Sequence, residues 1–165
     1  MSQLARLLFV LLLIVATILI CATTGKLPAQ IASHFGAGGV PNGWMDRSDY
    51  LLFMLAFAVV LPVSVVLGPL FLPRMKFNKI NIPNRDYWLA PVRREATNRY
   101  LATHALWLGS LLVVFIAGIH LVLIEANATQ PPHLPFAPFV TLLALFMAAL
   151  GIWIVTMMIH FRGKA

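Results

Sequence analysis

Four long stretches of unbroken apolar residues constrain this chain more than any other feature. Leu4–Thr24, Leu51–Leu72, Ala105–Ile124 and Phe136–Ile159 each reach the roughly 20 residues that a helix needs to cross a bilayer. Together they carry no Asp, Glu, Lys or Arg except Arg6, at the edge of the first, and their one imidazole is His120. Helices apolar on every face belong in lipid, where all backbone polar groups must be satisfied within the segment. Composition agrees: 61% of residues are apolar and 10% charged, against about 45–50% and about 25% in soluble domains. The expected fold is an all-α integral membrane protein with four transmembrane helices in one domain, residues 1–165.

The first stretch has a competing reading as a secretory signal, with Arg6 as its basic region and Leu7–Ala22 as its apolar region. The run is long for that role, and no A-x-A site follows it. Ile20 also breaks a lipoprotein signal at Cys21. The stretch is read as a retained span. Cys21 is the one cysteine, so no internal disulfide is available, and in apolar sequence it reads as an inert thiol.

Basic residues in the short loops set the orientation. Arg6, the loop residues Arg74, Lys76, Lys79, Arg85, Arg93, Arg94 and Arg99, and the tail residues Arg162 and Lys164 share one side. The other side has only Lys26 and Arg47. Both termini are therefore expected in the cytoplasm, with a basic inner loop over residues 73–104 and outer loops over 25–49 and 125–135. The acidic residues sharpen the contrast, because Asp86 and Glu95 fall inside while Asp46, Asp49 and Glu125 fall outside. The net charge of +7 is thus a matter of topology, and its natural partner is anionic lipid on the cytoplasmic side. Nucleic acid is not expected, since no aromatic-basic platform accompanies the charges.

The first outer loop is structured rather than merely polar. It carries five glycines and a Pro41-Asn42-Gly43 turn signal, and its Gln30–Phe35 segment reads as a short helix or an extended stretch on the interface. Pro62 and Gly68-Pro69 predict a kink in the second span. Pro91 suits a helix N-terminus. A helix running from Pro91 through Ile124 would measure about 51 Å, longer than the bilayer core. Small residues four apart (Ser64 and Gly68, Ala105 and Gly109, Ala144 and Ala148) point to close helix packing within one bundle, or else to a homo-oligomer seam.

Chemistry-bearing residues are sparse. No span holds a carboxylate of the kind ion-coupled carriers use, and no paired-Asp, Ser-His or H-E-x-x-H set appears, so no catalytic residue is assigned. His34, His120 and His133 all fall toward the outside, where imidazoles and carboxylates together offer a metal site, although no ligand spacing supports one. No other cofactor is expected except a haem held by His104 and His160, for which headgroup level is a poor location. In the inner loop, Arg85, Tyr87, Trp88, Arg93 and Arg94 form the densest polar-aromatic segment. It reads as an amphipathic re-entry to the membrane or as a partner-docking surface.

The outer loop has a recognisable pattern. Leu27-Pro28-Ala29-Gln30-Ile31-Ala32-Ser33-His34-Phe35, then Gly39 and Pro41-Asn42-Gly43-Trp44, resembles the signature of unknown-function domain family 1648. That domain also forms the N-terminal part of SdpI-type bacterial immunity membrane proteins. The likeness covers Leu7–Leu72 and continues more loosely to Leu108, with Ile82–Glu95 similar to a stretch found in stand-alone members. It implies a bacterial inner-membrane protein and marks Pro28, His34, Phe35, Gly39, Pro41, Gly43 and Trp44 as the family loop. The C-terminal segment of SdpI-type proteins is not recognisable here. The expected function is a non-enzymatic accessory, sensor or immunity-type role, binding a ligand or membrane-protein partner through the loop around His34. The alternatives are a metal or redox protein using the outer histidines, and a subunit of a larger complex or transporter.

Overall fold

The computed structural model describes residues 2–69, 71 and 81–163. The end of the second apolar stretch and the basic positions Arg74, Lys76, Lys79 and Lys164 lie outside the described residues. In chain order the elements are α1 (Gln3–Thr24), β1 (Gln30–Phe35), β2 (Pro41–Asp46), α2 (Arg47–Leu67), α3 (Arg85–Trp88), α4 (Pro91–Asn127) and α5 (Phe136–Arg162). Helices α1, α2, α4 and α5 are long and apolar enough to cross a membrane, as the sequence predicts.

Each helix buries what its neighbours require. In α2 the buried residues Tyr50, Met54, Ala58 and Pro62 recur every fourth position, a single stripe along one face. In α1 the stripe is Ala5, Phe9, Ala16, Ile20 and Thr24. Helix α4 lies at the centre and packs against α1, α2 and α5, so its buried positions cover more than one face. Of the small-residue pairs, Ala105 and Gly109 belong to this seam. A Cβ on Gly109 would come within 2.7 Å of Val66 and 2.9 Å of Phe9. Ala144 and Ala148 face outward. Helix α5 buries only Phe161.

The core has two clusters. One groups Ala5, Phe9, Ala16, Leu106 and Val113. The other groups Ile20, Leu27, Ile31, Tyr50, Met54, Ala58 and Ile116, joining the hairpin to the helices.

Several boundaries differ from the expectation. Of the two readings of Gln30–Phe35 the extended one holds: it is a strand paired antiparallel with β2, so the first loop is a β-hairpin. Helix α2 starts directly from β2 at Arg47, because Asp46 is extended and Asp49 in the first turn complements the helix dipole. Helix α4 starts at Pro91, as expected, and runs three residues past Ile124 to Asn127. It is thus about 56 Å long. Pro62 sits inside α2, which continues to Leu67 before a 3₁₀ turn at Gly68-Pro69.

Candidate functional site

The hairpin is fixed to the bundle by backbone and side-chain bonds. The Arg47 guanidinium donates to the Gly25 carbonyl at 3.3 Å and to that of Leu27 at 2.9 Å. Carbonyls at a helix C-terminus lack intrahelical donors, so a cation there meets both needs. The Gln30 amide donates to the Asp46 carboxylate across the open end of the hairpin.

Register explains the spacing of the loop motif. Ala32 faces Trp44, His34 faces Gly43 and Phe35 faces Pro41. Ser33 is therefore an extra residue on β1 and Asn42 an extra residue on β2. Such bulges re-aim neighbouring side chains. Ile31 and Ala32, adjacent in sequence and in regular register, are both buried, Ile31 in the core and Ala32 against Asn127, while His34 and Trp44 are exposed. Gly43 has to be small, because its Cβ would stand 3.0 Å from the His34 Cβ. At the tip, Gly39 adopts φ +72°, and a Cβ there would lie 2.8 Å from the His133 ring. Pro28 is exposed on the way into β1.

Helix α4 supplies the other fastening. The Asn127 side chain accepts from the Ala32 N–H at 2.8 Å and donates to the Ala32 carbonyl at 3.0 Å, as a neighbouring strand would. It also donates to the Leu123 carbonyl at 2.9 Å. Beyond α4, the Leu134 N–H donates to the Gly39 carbonyl at 2.9 Å, tying the second loop to the hairpin tip.

Two cavities adjoin this hairpin, and Ser33 and His34 line both. One, of about 220 Å³, also has Met45, Tyr50, Phe53, Met54, Phe57, Ile119 and Leu123 in its wall. The other, of about 230 Å³, continues with Phe35, Val122, Leu134 and Phe139. The Ser33 hydroxyl lies 3.0 Å from His34 Nδ1. This leaves His34 Nε2 without a hydrogen bond among the described residues. A few polar groups in an otherwise apolar concavity are the usual composition of a ligand pocket.

Beneath the first cavity, Tyr50 meets a buried polar group. The Tyr50 hydroxyl is 2.8 Å from His120 Nδ1, and Thr23 Oγ1 is 2.7 Å from His120 Nε2. Thr23 Oγ1 also lies 2.6 Å from the Leu19 carbonyl, which can only accept. The Thr23 proton therefore goes to Leu19, and His120 Nε2–H donates to the threonine oxygen. Nδ1 is then the acceptor for the Tyr50 O–H, and the imidazole is neutral. One histidine thus links α1, α2 and α4 with every polar atom partnered.

This arrangement gives His34, His120 and His133 separate partners. Both nitrogens of His120 are occupied, His34 leans on Ser33, and His133 packs on Gly39. Among the described residues no three His, Cys, Asp or Glu side chains are gathered as metal ligands. Cys21 is exposed on α1, not packed inside.

The opposite end holds the polar-aromatic segment. Trp88 Nε1 and Asn84 Nδ2 both donate to the Phe161 carbonyl, at 3.0 and 3.1 Å, and Thr97 Oγ1 donates to the Trp88 carbonyl at 2.7 Å. Trp88 and Asn84 therefore act as a clasp on the end of α5. Arg93 stacks over Tyr87 at 3.9 Å, Arg85 pairs with Asp86 at 3.5 Å, and Arg94 is half-buried in the first turn of α4. His104 and His160 both stack on Tyr100, with ring centroids 5.3 and 3.6 Å away, so the pair is spanned by an aromatic ring and not arranged as axial ligands.

Sequence reasoning passed over Tyr50 and Asn127. Asn127 begins an Asn-Ala-Thr tripeptide that matches a glycosylation sequon, a pattern common by chance. Its side chain is buried and fully bonded, so its role is structural. Tyr50 carried one visible signal, as a polar aromatic residue at the mouth of an apolar span.

Residues 11–60 match the family model of a domain of unknown function, DUF1648. The matched region covers most of α1, the hairpin and the first two-thirds of α2. No curated protein and no solved structure matches the chain.

Proposed function

We propose that this is a multi-pass protein of a bacterial inner membrane, with both termini in the cytoplasm, that binds rather than transforms its ligand. The hairpin is its recognition element. In this reading the ligand is a peptide or membrane-embedded partner that inserts an apolar group into the paired cavities and meets His34 and Ser33 at their rim. Trp44, exposed on the same hairpin, supplies a second contact or an anchor at headgroup level. An accessory, sensor or immunity-type role follows from such binding, and the SdpI relationship belongs to this proposal.

The observation that carries it is the position of His34. It is the exposed polar member of both cavities, with one ring nitrogen held by Ser33 and the other without a hydrogen bond among the described residues. The architecture below it is well fastened, since Asn127 ties Ala32 to α4, Arg47 ties the approach to β1 to α2, and the Tyr50–His120–Thr23 group joins α1, α2 and α4. Rigid support under a few polar groups is what a binding site needs. The basic residues at the α3 end meet anionic lipid in this orientation.

The test is affinity purification of the tagged protein from its own membranes in mild detergent, beside His34→Ala and Trp44→Ala. A species retained stoichiometrically by the parent protein and lost from both variants, with insertion unchanged, is the expected outcome. Equal retention by all three proteins would refute a role for the hairpin.

A further inference from the structure

A third concavity lies at the α3 end, on the flank where α5 packs against α4. Its volume is about 420 Å³, and Tyr100, His104, Trp107, Leu111, Ala149, Ile152, Trp153 and Thr156 line it. Polarity changes along its length. Tyr100, His104, Trp153 and Thr156 lie toward the α3 end, whereas Leu111 and Ala149 lie toward the middle of the helices. The open side belongs to lipid in a membrane-spanning bundle. An amphiphile with its head at one end and its chain running inward matches that gradient.

The polar end is built to hold its shape. His104 Nε2 is 3.0 Å from the Trp153 carbonyl, and Trp153 Nε1 donates to the His104 carbonyl at 2.9 Å. The two rings stack at 4.6 Å. Because a carbonyl only accepts, Nε2 carries the proton, and in the neutral imidazole Nδ1 is left as an acceptor. Nδ1 has no hydrogen bond among the described residues. Tyr100 is itself stacked with His104 and His160, so the groove offers the Trp153 and Trp107 rings and the His104 acceptor, and its lining residues include no carboxylate or guanidinium. Aromatic faces attract cations, and ammonium groups are held by such rings.

We propose that this groove binds one phospholipid whose headgroup carries a protonated primary amine. The ammonium sits against Trp153 and donates to His104 Nδ1, while an acyl chain passes Trp107 toward Leu111 and Ala149. The inference rests on the membrane reading and is independent of the hairpin's function.

Native mass spectrometry of the delipidated protein tests it, with dioleoyl phosphatidylethanolamine, phosphatidylcholine or phosphatidylglycerol added back. The ethanolamine lipid should be retained about tenfold over the glycerol lipid, the effect of one desolvated cation–π and hydrogen-bonded contact. Ala149→Leu, which fills the lipid-facing floor, should remove that preference. His104→Phe, which keeps a stacking ring but not the acceptor, should reduce ethanolamine retention to the choline level. Equal retention of the three lipids, preference for the glycerol lipid, or an unchanged preference in both variants would overturn the assignment.

Discussion

The Tyr50 hydroxyl lies 2.8 Å from Nδ1 of His120, joining α2 to α4 inside the apolar bundle, with the rings stacked at 5.8 Å. His120 is fully buried and Tyr50 1% exposed, so neither has water as an alternative partner. Tyr50→Phe leaves the imidazole acceptor unpaired and should cost about 1–2 kcal/mol of stability. His120→Leu should cost a similar amount, and the double variant should cost less than the sum, since it removes both members of the pair. Thermal unfolding in detergent measures all three. Fully additive losses would show that the two residues do not act as a pair.

Asn127 should govern how firmly the hairpin is held. Asn127→Asp keeps the acceptor for the Ala32 N–H but loses both amide donations, to Ala32 and Leu123. Hydrogen exchange at the β1 amides should rise by about tenfold or more, the effect of an opening cost lower by about 1.4 kcal/mol. Exchange within α5 should not change. Unaltered β1 protection would count against the strand-like role of this side chain.

Gly39 combines a left-handed backbone with a close contact. Gly39→Ala should destabilise the hairpin by about 1–2 kcal/mol through backbone strain and the collision with His133. Gly39→Ala with His133→Ala should recover only the steric part. Thermal unfolding of the three proteins separates the two causes. Full recovery in the double variant would mean that φ +72° contributes nothing.

Much of this was legible in the sequence, and the rest was hidden for physical reasons. Apolar runs of about 20 residues announce themselves because lipid tolerates little else. The start of α4 at Pro91 was equally plain. The hairpin was harder to read. Two bulges, at Ser33 and Asn42, break the strict alternation that identifies a strand, and burial of Ile31 beside Ala32 obscures it further. The reason for the loop's glycines also lay outside the local sequence: Gly43 makes room for His34, and Gly39 for His133, nearly a hundred residues away. His120 looked like a candidate ligand until Thr23 and Tyr50, from two other helices, were seen to occupy both its nitrogens.

Orientation is open to direct chemical mapping. In a Cys21→Ser background, Asn42→Cys on the hairpin should react with a membrane-impermeant thiol reagent in intact cells. Gly163→Cys should react only after the membrane is permeabilised. The reverse pattern would invert the proposed topology and place His34 in the cytoplasm.

Recognition is proposed to occur at the cavities beneath His34. Site-specific photocrosslinking from Phe57, in the wall of the first cavity, tests it in native membranes, with Val155 on α5 as the control position. One crosslinked product should form from position 57, not form from position 155, and disappear when His34→Ala is added. A product unaffected by His34→Ala, or the same products from both positions, would contradict it.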